Sequence, residues 1–245
     1  MWDNAPLLRT IANLLFGLSL VLVLYGAARY VLHLAIFPLN AVKLREPPKH
    51  VPVELIERVV REQIRGNFFT VDLNRTRDAF EHLPWVRKVS VRRKFPWSLE
   101  VELEEHVALA RWNVSSLVNT HGEVFTERTE QVLPAFIGQP NTSAQVTSMY
   151  DEFNKKLLPL KQEVTQISLS PRFAWQLRLS NGMVLELGRE QMQQRLEKFV
   201  DVYPYSLFTL SHVVTHVDLR YRNGFAVYLP NGEAALDKRT SRNKV

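Results

Sequence analysis

Eighteen consecutive residues near the start of the chain, Ile11 to Ala28, carry no charge. As a helix, at about 1.5 Å per residue, they span roughly 27 Å, close to the hydrocarbon thickness of a bilayer. The helix is expected to continue through Arg29 and Tyr30, a long cation and an amphipathic ring that headgroups tolerate, as far as Phe37, where Pro38 ends it. A cleaved signal peptide is the competing reading, with Gly26 and Ala28 as small residues before the cut. Its apolar region usually runs about 7–15 residues, so a retained anchor is expected. Residues 1–10 then form a leader and 11–37 a transmembrane helix.

Beyond Pro38 the apolar period changes. A short stretch, Ala41 to Leu44, precedes a proline-rich joint at Pro47, Pro48 and Pro52. Val53, Ile56, Val59, Val60 and Ile64 then recur at three- and four-residue spacing, which predicts an amphipathic helix closed by a left-handed Gly66. A second helix is predicted over Asn74 to His82, with Leu73, Thr76, Phe80 and Leu83 around it and Pro84 as its stop. Trp85 leads into two alternating segments. Pairing Arg92 with Glu100 and Lys88 with Glu104 also sets Val91 against Val101 and Val89 against Leu103, so one hairpin register satisfies both faces. Residues 38–106 therefore read as a compact strand-helix-helix-strand-strand unit of α+β type.

From 107 to 230 strands and glycine turns dominate: Val107 to Trp112, Leu117 to Phe125, Val164 to Leu169, Ala174 to Leu187, Val213 to Tyr221 and Phe225 to Leu229. One hairpin is expected to set Leu177 opposite Leu187, Leu179 opposite Leu185 and Arg178 against Glu186, around an Asn181-Gly182-Met183 loop. Another is expected to set Val217, Leu219 and Tyr221 opposite Leu229, Val227 and Phe225 around Arg222-Asn223-Gly224. Helices are predicted over Ala144 to Leu158 and Glu190 to Tyr203, the second with an apolar face of Met192, Leu196, Phe199, Val200 and Tyr203. This unit is a mostly antiparallel β domain with helices. Residues 231–245 are polar and aperiodic and are expected to be a disordered tail.

Charge and composition narrow the chemistry. The net charge of +6 is spread along the chain, and no segment so defined exceeds +2, which argues against a nucleic-acid module. Its one dense basic run, Arg87 to Lys94, faces the acidic strand Glu100 to Glu104 as a charge ladder. With no cysteine there is no disulfide, thiolate metal site or cysteine nucleophile. His212 and His216 stand four apart, but the valines around them argue strand, and no carboxylate has matching spacing, so no metal site is expected. No nucleophile elbow, phosphate-binding glycine loop or metalloprotease motif occurs. Glu100, Glu102, Glu104 and Glu105 imitate a glycosidase carboxylate pair only superficially, since alternation places three of them on one open face opposite bases. A non-enzymatic protein without cofactors is expected, one that binds other proteins.

The positive-inside count does not fix the orientation of the span, since Arg9 precedes it while Arg29, Lys43 and Arg45 follow. The bulk of the chain is expected to be exported. Phe225 to Leu229 is the place to seek a docking surface. As the last strand of a sheet it offers free amides and carbonyls for a partner strand, with arginines nearby to select an acidic one. An edge blunted by its own tail fits the residues equally well.

The run Leu83-Pro84-Trp85-Val86-Arg87-Lys88-Val89-Ser90-Val91-Arg92-Arg93, with Phe95-Pro96, Leu99 to Glu104 and Ala110-Arg111-Trp112-Asn113, resembles the bacterial cell-division family FtsQ, called DivIB in Gram-positive relatives. Two further runs carry the same resemblance. One is Trp175-Gln176-Leu177 through Leu187-Gly188-Arg189, Arg195-Leu196 and Phe199 to Pro204; the other is Val217 to Tyr221, Gly224 and Ala226-Val227. The likeness covers residues 11–229. It implies that the first unit is a POTRA domain and the second the family's β domain.

The resemblance further implies a bitopic inner-membrane scaffold, type II, with its bulk in the periplasm and concentrated at the division septum. Such a scaffold is recruited after FtsK, holds FtsB and FtsL, and through them bears on the septal wall synthase FtsW and FtsI. It places a partner strand against the C-terminal strand, with Arg172, Arg220, Tyr221, Asn223, Gly224, Phe225, Val227 and Leu229 as contact residues, and a recruitment strand at Val89, Val91 and Arg93. This chain departs from enteric members in having Leu229 where they have Trp, and Arg222-Asn223-Gly224 where their turn reads Asp-Ser-Gly. The rival class is a POTRA-bearing chaperone or translocation module for membrane-protein assembly, which normally carries tandem POTRA repeats and a barrel.

Overall fold

The computed structural model describes residues 5–34, 36–206, 214–221 and 224–228. The chain divides into two compact units, Met1–His106 and Val107–Val245.

Helix α1 (Ala5–His33) opens the first unit. Its most apolar 18-residue stretch has a mean hydropathy of 2.1, and no protein surface covers that stretch. At 29 residues it is about 43 Å long, so it outreaches a hydrocarbon core of about 30 Å. The helix stops at His33, four residues short of the expected Phe37. Its last carbonyls need partners, and a distant side chain supplies them. The buried Asn67 donates from Nδ2 to the carbonyls of Leu32 (2.7 Å) and Leu34 (3.0 Å). The Asn67 Oδ1 in turn accepts from the N–H groups of Phe69 and Thr70, each at 3.0 Å. Phe37 is drawn out of the helical path into an aromatic cluster with Phe69 and Trp97.

Strand β1 (Ala41–Leu44) is followed by α2 (Val53–Gln63), α3 (Leu73–Glu81), β2 (Val86–Lys94) and β3 (Ser98–Glu105). The sheet order is β1-β3-β2, with β1 parallel to β3. Val51, Ile56, Phe80, Val86, Val89 and Val101 form its core beneath the two helices. Asp72 caps α3 by accepting from the backbone N–H of Asn74 (2.9 Å) and Arg75 (3.1 Å). The β2–β3 hairpin adopts the register read from its charges: Arg92↔Glu100, Lys88↔Glu104, Val91↔Val101 and Val89↔Leu103.

Each of the four clustered carboxylates has a structural partner. Glu100 takes Arg92 and Lys94, Glu102 takes Arg45, and Glu104 takes Arg87. Glu105 accepts the backbone N–H groups of Lys49, His50 and Val51 at 3.0–3.1 Å and His50 Nδ1 at 3.0 Å. Burial pushes the Glu105 carboxyl up, but these hydrogen bonds, led by those from the His50 and Val51 backbone, overcome it and hold the carboxyl below its ordinary value. A depressed carboxylate stabilises the fold at pH values above its unfolded pKa, and that contribution is lost as pH falls through the folded value. Glu105→Gln is therefore expected to lower the stability of this unit at neutral pH by roughly 1–3 kcal/mol. The difference from the parent should narrow as pH is lowered into and below the ordinary glutamate range, as measured by urea unfolding at a series of pH values.

The described residues of the second unit form a mixed sheet of nine strands. Its strands are β4 (Ala108–Trp112), β5 (Ser116–Asn119), β6 (Val124–Phe125), β7 (Ala135–Ile137), β8 (Val164–Leu169), β9 (Trp175–Leu179), β10 (Val184–Gly188), β11 (His216–Asp218) and β12 (Ala226–Tyr228). They lie in the order β12-β11-β10-β9-β8-β7-β4-β5-β6. Helices α4 (Ser143–Leu157) and α5 (Met192–Ser206) pack on each other and over β8 and β10 respectively. Phe136, Phe153, Trp175, Leu177, Leu185, Leu196 and Phe199 are buried among them. Strand β7 was not expected from the pattern. Its three residues between Pro134 and Gly138 are too few for a period, yet it joins β4 to β8 by two parallel pairings.

Both expected hairpin registers in this unit are displaced by two residues. Leu177 faces Leu185, Arg178 faces Val184, and Glu186 faces Gln176, whose Nε2 donates to it at 2.5 Å. The cause is the turn. Gly182, at φ +84°, takes the left-handed place at the end of a Ser180-Asn181-Gly182 loop, and Asn181 Oδ1 accepts from the Met183 N–H at 3.0 Å. In the last hairpin Val217 faces Val227 and Asp218 faces Ala226. A shift of two keeps each side chain on its expected face, because the strand period is two.

Candidate functional site

Among the described residues β12 is the last strand of the sheet. Strand β11 lies between β10, to which it is parallel, and β12, to which it is antiparallel. Val214, Val217, Leu219 and Val227 are buried on the helix-covered face and hold these two short strands to the core. Among the described residues no strand pairs with the outer side of β12.

The turn after β11 owes its shape to a buried acid. Asp218 is nearly inaccessible, and its carboxylate accepts from the backbone N–H of Arg220 (3.0 Å), from its Nε (2.9 Å) and from its Nη2 (2.7 Å). This closure ends the strand at Asp218 and turns Tyr221 out of the ladder, which is why the expected Tyr221–Phe225 pairing does not form. The Arg220 hydrogen bond holds the Asp218 carboxyl below the ordinary aspartate range, against the opposing effect of burial. Arg220 is itself held firmly charged by Asp218. Its side chain runs close over Gly188 (φ +73°), where an added Cβ would stand 3.2 Å from Arg220 Cγ and 2.9 Å from Arg195 Nη1. Only glycine leaves room for both arginines there.

Tyr221 is 57% exposed, Gly224 is exposed, and Phe225 is half-buried with its ring edge-on to Phe199 at 6.2 Å. Together with Gln194, Lys198 and Asp201 of α5, Tyr221 and Phe225 border an open depression of about 550 Å³. The three α5 residues were not among those singled out in the sequence. Their signal was the polar side of an amphipathic helix, which looks the same whether it meets solvent or a partner.

Arg172 lies in the β8–β9 turn, where the Phe173 N–H bonds to the Ser170 carbonyl at 2.8 Å. Trp175, at the start of β9, is paired with Gly188 at the end of β10, and Gly188 in turn touches Arg220. Arg172 and the Arg220-Tyr221 turn thus stand at the same end of the sheet. Asn223 and Leu229, like Arg222, His212 and the 231–245 tail, lie outside the described residues. His216 sits on β11 with its ring edge-on to Tyr228 at 5.3 Å and its Nε2 3.9 Å from Glu186. Among the described residues no three potential ligands gather around a metal position.

In the first unit β2 is an edge strand. Of the three residues marked for recruitment, Val89 is buried in the core and Val91 packs half-buried against it. Arg93 spends its guanidinium on main-chain carbonyls, those of Phe68 (2.8 Å), Phe69 (3.2 Å) and Val71 (2.8 Å). The exposed residues of β2 are Lys88, Ser90, Arg92, Arg93 and Lys94.

Comparison with known proteins agrees with this architecture unit by unit. Residues 37–106 match the POTRA domain of FtsQ type, and residues 110–220 match the C-terminal domain of the cell-division protein FtsQ/DivIB. The chain is 42% identical to the cell-division protein FtsQ of Nitrosospira multiformis, over 92% of this chain and 98% of that one. It is 35% identical to that of Burkholderia pseudomallei, over 93% and 94% of the two chains. For Bordetella pertussis the identity is 36%, over 94% and 93%. With both domains matched in order behind an apolar helix long enough to cross a membrane, the chain belongs to the FtsQ/DivIB family of bacterial cell-division proteins.

Proposed function

We propose that this cell-division protein is a bitopic, type II scaffold of the inner membrane, concentrated at the septum, which holds FtsB and FtsL by strand addition along β12. The single observation that carries the reading is the position of β12. Among the described strands it is the terminal one, its outer side meets no other of them, and the arginine-bearing turns of Arg220 and Arg172 lie at one end of that sheet. An antiparallel edge gives affinity through main-chain hydrogen bonds, and the flanking cations and rings give selection for an acidic partner. In this reading Asn223 and Leu229 continue the same surface. Recruitment by FtsK falls to the outer side of β2, with Val89, Val91 and Arg93 acting through the shape of that strand. FtsW and FtsI are reached through FtsB and FtsL.

Titration calorimetry of the detergent-solubilised protein with an FtsB segment tests the site. Tyr221→Ala is expected to weaken binding by about 2–4 kcal/mol, the scale of an aromatic hot spot, and unchanged affinity would discard the strand-pairing site. Arg220→Glu should weaken it as well, but it also sets a second carboxylate beside buried Asp218, so Tyr221→Ala is the cleaner measurement. Amide exchange over residues 225–228 should slow when the segment binds. Depletion in cells separates this reading from the chaperone class: unseparated filaments support the scaffold, and a loss of outer-membrane barrels supports the rival.

A further inference from the structure

Neither the division role nor the β12 edge accounts for the tip of the β2–β3 hairpin. Phe95 at that tip is 77% exposed, and its ring stands 5.8 Å from that of Trp97. Trp97 lies 5.3 Å from Phe37 and 5.5 Å from Phe68, while Phe69, 43% exposed, stands 5.0 Å from Phe37. Phe37 follows the end of α1 by only four residues. Main-chain bonds fix the same junction: Phe68 donates to the Phe37 carbonyl at 3.1 Å, and Asn40 donates to the Trp97 carbonyl at 2.9 Å. Through Asn67, which bonds the carbonyl of Leu32 in the last turn of α1 and that of Leu34 just beyond it, the aromatic tip is tied to the point where the apolar helix ends. We propose that Phe95, Trp97 and Phe69 are immersed in the interfacial layer of the bilayer that α1 spans, as a second point of attachment.

Three features favour lipid over a protein partner. The exposed side chains are aromatic, the type that settles at the boundary between headgroups and hydrocarbon. The patch is continuous with a membrane span instead of facing away from it. The nearest bases are already engaged, Lys94 and Arg92 by Glu100 and Arg93 by three carbonyls, so attachment rests on rings and owes little to an acidic partner. A helix alone would let the POTRA unit swivel about the membrane normal. A second anchor restricts that rotation and sets which way the β2 edge faces.

The chain has no cysteine, so single labels are unambiguous. The full chain carrying Phe95→Cys, Lys88→Cys or Val21→Cys, each with an environment-sensitive dye, is reconstituted into vesicles of phosphatidylethanolamine and phosphatidylglycerol. Lys88 lies six residues along β2 from Lys94, about 20 Å from the tip, and Phe95 is exposed enough that its replacement leaves the fold intact. The expected result is a blue-shifted emission at position 95, with several-fold weaker quenching by aqueous iodide than at position 88, and quenching by spin labels placed near the lipid headgroups. Equal iodide quenching at 95 and 88 overturns the proposal. Shielding from iodide without quenching by spin-labelled lipid means that protein covers the tip, and overturns it as well. The label at position 21 separates the two readings involved: if it remains deep in lipid while 95 is aqueous, the span stands and the second anchor alone fails.

Discussion

Trp175→Ala is expected to cost the second unit about 3–5 kcal/mol, the range for truncating a buried aromatic. Trp175 is 2% exposed at the start of β9, its ring edge-on to Phe153 of α4 at 5.8 Å. It therefore joins the sheet to the helical layer, and truncation opens a cavity between two elements that cannot both close over it. Domains are stable by only about 5–15 kcal/mol, so the loss consumes a large share of the total. Its neighbours on either side, Leu169 on β8 and Gly188 on β10, sit beside the turns that carry Arg172 and Arg220. Native-state amide exchange should show β8 to β10 opening far more readily than in the parent. Exchange in β9 as slow as in the parent would contradict the role given to this contact.

Gly122→Ala is expected to cost on the order of 3 kcal/mol, combining a left-handed conformation that side chains resist with overpacking. Gly122 sits at φ +79° between β5 and β6, and an added Cβ would stand 2.5 Å from Ala144 Cα and 3.1 Å from Ala144 N, backbone atoms of α4 that cannot swing aside. Gly182 is the matched control. It has nearly the same backbone conformation, φ +84°, but nothing lies within 4 Å of its missing Cβ. Gly182→Ala should cost only about 1–2 kcal/mol, the conformational part alone, and Gly182→Asn less again. Chemical denaturation of the three variants separates strain from collision; equal losses at 122 and 182 would show that α4 yields.

How far the pattern reached is clearest in the three hairpins. In β2–β3 the register was legible because charge pairs on one face and valines on the other select the same alignment. In β9–β10 and β11–β12 the core-facing positions are mostly Leu and Val, with Leu177 opposite Leu185 and Val217 opposite Val227, so alignments two residues apart bury equally well, and turn geometry at Gly182 and the Asp218–Arg220 closure made the choice. The candidate site was legible to the same degree. Arg220, Tyr221, Gly224, Phe225 and Val227 do fall together around β11 and β12, whereas the buried acid that shapes them, the glycine that admits Arg220 and the α5 residues beside them carry no local mark.

From sequence by itself came the long apolar helix, the α+β character of both units, most of the helices and strands, and the lack of any cysteine chemistry, because each depends on residue type or on a period that neighbours along the chain share. Only tertiary structure decided where α1 stops, that β7 exists, and that β12 is the outermost of the described strands in its sheet. The end of α1 rests on Asn67, more than thirty residues away, and β7 on two parallel partners that supply the hydrogen bonds its three residues cannot make alone. Which strand is left at the rim is a property of the whole pairing order, since every other strand must first find its neighbours.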